Sequence, residues 1–306
     1  MKHTLTATLA LVLLFLCAQL VGLVTVSRYV DIRATSETGV TKIYQEKYII
    51  EPPEVQESFS FVYILFAVLI GTVLALIIVW FNRVRIWRFW FMASILICLL
   101  IGIFPYVDML TSFISKGLLP ATAVKVITLV LALALTLWKS YRPNFLIYNL
   151  VEVFMYGGIA ALLVPILNLT SVVILLVVIS IYDFWAVFKT KHMVSLAKFQ
   201  SSAKLFAGLL VPYKRVSGKG VSGKPTAQTG GSQQAILGGG DIAFPLLFSG
   251  VVLKLTGSFI PAFIITLFAA AALMGLFIVA KKQKYYPAMP FISMGAFLGY
   301  LITLLI

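Results

Sequence analysis

Nine times in 306 residues the chain runs apolar for about twenty residues, and no other feature constrains its fold as strongly. Runs of about 17–25 such residues cross the hydrocarbon core of a bilayer as helices. They fall at roughly 4–27, 59–81, 89–107, 118–138, 146–164, 170–188, 236–256, 259–280 and 287–306. The pattern predicts an all-α polytopic membrane protein of nine transmembrane helices. Charged residues make up 11% of the chain, against about 25% in soluble domains, which excludes a soluble protein with a large core. The first run follows Lys2 as a signal peptide would. Its apolar stretch exceeds a usual signal core, and "VGLVTVSRY" is a poor cleavage site, so it is read as a span.

A net charge of +14 would suggest nucleic acid in a soluble chain. Here the excess is topological, because basic residues collect on the cytoplasmic side of membrane proteins, and no nucleic-acid partner is expected. The even-numbered connections carry Arg83, Arg85 and Arg88; Lys139 and Arg142; eight Lys and Arg between 189 and 224; and Lys281, Lys282 and Lys284, with no acid among them. The first connection, 28–58, holds six of the ten acids: Asp31, Glu37, Glu46, Glu51, Glu54 and Glu57. Every alternation predicts a cytoplasmic N-terminus and an external C-terminus. Cys17 and Cys98 both lie inside apolar runs, so no disulfide framework is expected. His3 and His192 are the only histidines, which argues against a histidine-based metal site. No cofactor is expected.

The interruption between the sixth and seventh runs divides the chain. "KTKHMVSLAKFQSSAKLFAGLL", 189–210, reads as a basic amphipathic helix lying along the membrane surface. Residues 211–234, rich in Gly, Ser, Lys and Gln, cannot bury enough surface to order themselves and read as a flexible cytoplasmic linker. The expected organisation is a six-span half over 1–188, this connection over 189–235, and a three-span half over 236–306.

Four acids remain outside the first connection: Asp108, Glu152, Asp183 and Asp241. Asp108 falls at the external end of the third span, where hydration is easy. Asp183 lies about five residues from the end of the sixth span and Asp241 about five into the seventh, so each is about 7–8 Å from the cytoplasmic edge at 1.5 Å per residue. Antiparallel neighbours carrying them would place the two at matching depth. Two carboxylates that meet in a poorly solvated site cannot both ionise comfortably and tend to share a proton. That state suits peptide hydrolysis, the carboxylate taking a proton from water while the acid polarises the scissile carbonyl. It suits equally a proton relay in a transporter, or buried acids bonded to neighbouring helices. Glu152 is read as an interfacial residue paired with Lys139 or Arg142, ahead of a third titrating group. Lys125 and Lys254 are expected to snorkel.

The surroundings sharpen the first option. Gly238, Gly239 and Gly240 remove side chains before Asp241, which lets another backbone approach closely; a glycine cluster for helix packing is the plain alternative. Near the end, Pro287 and Pro290 open the last span, where proline is ordinary.

Together these segments resemble the presenilin and signal peptide peptidase family. Tyr182-Asp183 on the sixth span resembles its Tyr-Asp motif, Gly238-x-Gly240-Asp241 on the seventh its Gly-x-Gly-Asp motif, and Pro287-Ala288-Met289 its Pro-Ala-Leu motif, with Met289 in place of leucine. The resemblance covers all nine runs and the long connection between the sixth and seventh. The small size, short first loop and "TKHM" look most like an archaeal homologue. It implies a presenilin-like bundle and an intramembrane aspartyl protease whose catalytic pair is Asp183 and Asp241. It further implies that Pro287, Ala288 and Met289 lie beside the active site and help seat an unwound transmembrane substrate. Such a substrate must become extended, and residues 232–237, ending at Leu237, or the Pro287 segment would supply a backbone edge for it.

Other membrane chemistries lack their residues. No His-Glu-x-x-His motif is present, no span holds a histidine to serve an intramembrane serine, and "GKGVSGKP" at 218–225 has Pro225 where a phosphate-binding loop needs Ser or Thr. The prepilin-peptidase group shares Gly-x-Gly-Asp but has fewer spans and lacks the late Pro-Ala motif. A proton-coupled transporter or ion channel using Asp183, Asp241 and Glu152 remains the competing reading.

Overall fold

In a bilayer every backbone group must be bonded within the protein, so uninterrupted apolar runs become helices. The computed structural model describes residues 5–45, 49–50, 52–53, 59–81, 83–115, 119–142, 144–190, 206–214, 233–280 and 286–305. Eight helices among these are long and apolar enough to cross a membrane. They are α1 (Leu5–Tyr29), α3 (Ser60–Trp80), α4 (Val84–Ser115), α5 (Ala121–Tyr141), α6 (Phe145–Leu163), α7 (Leu169–Trp185), α8 (Gly239–Thr256) and α9 (Phe259–Val279). The last apolar run forms a shorter helix, α10 (Met289–Thr303), of 15 residues. It starts later than the run itself because Pro287 and Pro290 lack the N–H groups that an earlier start would need, and Pro290 is tolerated in the first turn.

α1, α6 and α8 form the centre of the bundle, and α10 packs between α7 and α9. α3 and the outer faces of α4 and α5 leave large apolar side chains such as Phe66, Ile70, Phe113 and Val130 exposed, as a lipid-facing surface requires. α4 and α6 cross at glycines. A Cβ on Gly102 would lie 2.0 Å from the Phe154 carbonyl oxygen, and one on Gly158 would lie 1.8 Å from that of Cys98, so only glycine allows the crossing. α4 extends well beyond the predicted 89–107 and takes Asp108 inside the helix rather than at its end. It passes through Pro105, whose missing N–H would have bonded Ile101, and the Tyr29 hydroxyl donates to that freed carbonyl at 2.8 Å.

The first connection is partly folded: α2 (Ile32–Thr38) is capped by Asp31, whose carboxylate accepts the Ala34 N–H at 3.0 Å, and Gly39 ends it at φ 68°. Residues 208–214 and 233–238, predicted as surface helix, linker and helix start, instead pair as antiparallel strands β1 (Gly208–Lys214) and β2 (Gln233–Gly238). Leu209, Val211, Ala235 and Leu237 are buried at alternate positions against α1 and α6, and that two-residue period outweighs the helical reading. The rest of the predicted surface helix and linker, 191–205 and 215–232, lies outside the described residues. Lys254 does not snorkel: it is 1% exposed and donates to Thr41 Oγ1 at 2.8 Å and to the Pro165 carbonyl at 3.1 Å.

Glu152 takes Lys139 as its partner, but not at a lipid interface. The short turn between α5 and α6 brings the two residues face to face, and both side chains are fully buried.

Candidate active site

Asp183 is the third residue from the end of α7, immediately before a π turn over Ala186–Thr190. Asp241 is the third residue of α8. α7 and α8 pack against each other, and Asp183 lies close enough for its charge to act on Asp241. The helices that carry the two carboxylates are therefore neighbours. Asp183 is 6% exposed and Asp241 part-buried.

Local sequence explains how each is held. Asp241 is at the third position of a helix whose cap is Gly238, and its carboxylate accepts the Gly238 backbone N–H. This is the reach-back half of a capping box, and it sets a carboxyl group at the positive end of the helix. Pro245, one turn on, lacks the N–H that would bond the Asp241 carbonyl, so the first turn of α8 is weakly tied within itself. Gln19, buried on α1, supports that turn from outside by donating to the Ile242 carbonyl at 2.8 Å.

Asp183 is held by the opening of α10. Its Oδ2 accepts the Met289 N–H at 3.2 Å, and the Ala288 N–H also donates to its carboxylate. One turn away, Ser180 and Ser293 hydrogen-bond at 3.0 Å, which fixes the register of α7 against α10. Pro287 and Met289 are buried and Ala288 half-buried beside the carboxylate. The Pro-Ala-Met segment thus touches Asp183 through its backbone, which any apolar side chain at 289 leaves unchanged.

The remaining motif residues part company. Gly240 is exposed, and a Cβ there would meet only the Phe244 ring at 3.6 Å, so it borders open space. Gly238 faces the Asp241 carboxylate, and Gly239 faces the Tyr156 hydroxyl. Leu237 is 2% exposed in β2 and points into the protein. Tyr182, 40% exposed, lines a groove of about 260 Å³ between α3 and α7 with Leu65, Phe66, Leu69 and Ile179.

Gln19, Ser180, Ser293, Asn149 and Tyr156 carry contacts that sequence reasoning did not assign. Polar residues inside apolar runs are the signal that would have found the first four, since a span spends a polar group there only with a partner in view.

Comparison with known proteins extends this picture. The family described as signal-peptide peptidase, presenilin aspartyl protease matches residues 42–306. No curated protein sequence matches significantly. Among solved structures, a presenilin family intramembrane aspartate protease in space group C222 superposes with a TM-score of 0.59 at 18% identity, over 96% of this chain and 95% of that one. The structure titled as such a protease in space group P2 gives the same score and identity over 97% of both chains. The fold is a presenilin-like helical bundle. With an aspartate on each of two packed helices, and a family match running from the first connection to the last residue, the chain belongs to the signal-peptide peptidase and presenilin family of intramembrane aspartyl proteases.

Proposed function

We propose that Asp183 and Asp241 are the catalytic pair and cleave peptide bonds inside transmembrane segments. One carboxylate takes a proton from water as the water attacks the scissile carbonyl carbon, and the other, as the acid, donates its proton toward the carbonyl oxygen. The resulting gem-diol collapses as the amine leaves with a proton. The packing of α7 on α8, which brings the two carboxyl groups within electrostatic range with one of them anchored by the Ala288 and Met289 amides, is the observation that supports this reading.

The substrate is a transmembrane helix locally unwound so that its amide is open to attack. β2 has a strand partner on one side among the described residues, β1, and its other edge is suited to strand addition by an extended peptide; the segment at Pro287 is the second such edge. Cross-linked peptide found far from both segments would rule this docking out. Gly240, bordering open space before Asp241, gives a passing backbone clearance. The N-terminus is cytoplasmic and the C-terminus external, so substrates present external N-termini.

Cleavage of a transmembrane peptide by the purified chain tests the assignment. Asp183→Asn and Asp241→Asn are each expected to lower cleavage by about 10²–10⁴-fold or more, and a hydroxyl-bearing mimic of the gem-diol should block the wild type. Undiminished cleavage by both variants would sink the proposal. Ion flux abolished by either substitution, in a chain that never cleaves, would move the function to a proton relay.

A further inference from the structure

One face of α6 runs beneath the hairpin to the start of α8, and it carries Asn149, Glu152 and Tyr156, which are 3%, 0% and 2% exposed. Asn149 grips β1 at both backbone groups of Leu210: its Oδ1 accepts the N–H at 3.0 Å and its Nδ2 donates to the carbonyl at 2.9 Å. Beside it, the Tyr148 hydroxyl donates to the Phe206 carbonyl. Glu152 is held through one oxygen by Lys139.

Tyr156 differs from these. Its hydroxyl is buried, with the Glu152 carboxyl one turn back on the same face as its polar neighbour. The oxygen also meets a second group. What it touches is the backbone leading into Asp241. A Cβ on Gly239 would lie 2.8 Å from Tyr156 Oη and 3.4 Å from Cε1, the first too close for any real contact. The Gly239 N–H, meanwhile, donates to the Ala207 carbonyl at 3.1 Å. Gly239 is thus held between the residue preceding β1 and a tyrosine hydroxyl, two positions before Asp241.

We propose that Tyr156 is a positioning residue for the reaction: its hydroxyl fills the space of the missing side chain at Gly239 and so fixes the turn from which Asp241 faces Asp183. The proposal rests on the reading of Asp241 as catalytic. It also gives a reason for glycine at the middle position of Gly238-x-Gly240-Asp241, which the motif itself leaves free. The oxygen at 156 and the absent Cβ at 239 are one coupled choice, because removing the oxygen makes room for a methyl group while the ring edge stays at ordinary contact distance.

A double-mutant cycle on the full chain, reconstituted in lipid and assayed with a fluorogenic transmembrane peptide, tests this. Gly239→Ala should lower kcat about tenfold or more while KM moves less than threefold, since small displacements of a reacting group cost up to about 10²-fold. Adding Tyr156→Phe should restore kcat to within about threefold of Tyr156→Phe alone. A double variant as slow as Gly239→Ala overturns the proposal, as does a Gly239→Ala enzyme with wild-type kcat. So does a Gly239→Ala change confined to KM, or to the thermal midpoint with kcat per folded molecule preserved. If Gly239→Ala cannot be recovered folded, recovery on adding Tyr156→Phe supports the coupling and continued loss refutes it. The two readings fail separately. Cleavage surviving Asp183→Asn and Asp241→Asn removes the protease assignment, and the thermal midpoints of the same cycle still report whether residues 156 and 239 are coupled.

Discussion

Lys139 and Glu152 form an ion pair with no exposure on either side chain, and the Lys139 ammonium also sits 4.5 Å from the centroid of the Tyr148 ring. Burial of this kind makes each partner depend on the other. Removing one leaves an uncompensated charge in a poorly polarisable site and costs about 3–5 kcal/mol, while replacing both with apolar residues is often neutral. Lys139→Met should therefore lower stability by about 3–5 kcal/mol in denaturant titrations of the detergent-solubilised chain, and adding Glu152→Leu should recover most of it. Equal losses in the single and double variants would show that the pair is not the source. At this scale the sequence was most informative where a residue was costly in its surroundings. Asp183 and Asp241 stand out because carboxylates are expensive in apolar runs, and Glu152 has Lys139 and Arg142 as candidate partners, of which the fold takes Lys139. Tyr156 did not stand out, because a tyrosine in a span is ordinary and only its position over Gly239 gives it meaning.

The hairpin is the element least legible in the sequence: residues 232–237 read as a backbone edge, but nothing announces β1 as their partner. β1 and β2 are seven and six residues long and pair across a basic, glycine-rich interval, so neither strand has a local turn to announce it. Leu209 and Val211 have the two-residue spacing of a strand, but two positions are too short a pattern to read from sequence, and what secures the strand is α6, a distant segment whose Asn149 completes the outer edge of β1 at Leu210. The spans were legible for the opposite reason, since their signal is carried by twenty residues at a time and the bilayer allows few alternatives. Asn149→Leu keeps the side chain close in size while removing both bonds to Leu210. It should raise amide exchange across 208–214 by about 5- to 150-fold, as expected for the loss of about 1–3 kcal/mol from a buried backbone pair. Unchanged protection in that segment would mean that β1 is held by β2 alone.

Across the whole molecule, the end of the bundle bearing the hairpin and the two aspartates is also the basic end: Arg83, Arg85, Arg88, Arg142 and Lys189 all lie at helix ends on that side. Asp31 and Glu37 lie at the opposite end, beside α2. Positive residues resist transfer across the membrane, so this asymmetry argues for insertion with the aspartate end in the cytoplasm. Glu37→Cys and Arg83→Cys test it directly, because both positions are exposed and stand at opposite ends. In sealed right-side-out vesicles, a membrane-impermeant thiol reagent should label Glu37→Cys at once and Arg83→Cys only after the vesicles are opened. Under this orientation the proposed pair lies near the cytoplasmic edge of the hydrocarbon, Asp241 three residues into α8 and Asp183 three from the end of α7, which places the proposed cut near the cytoplasmic end of a substrate helix arriving from outside. Immediate labelling of Arg83→Cys, with Glu37→Cys protected, would invert the protein and require substrates of the opposite orientation.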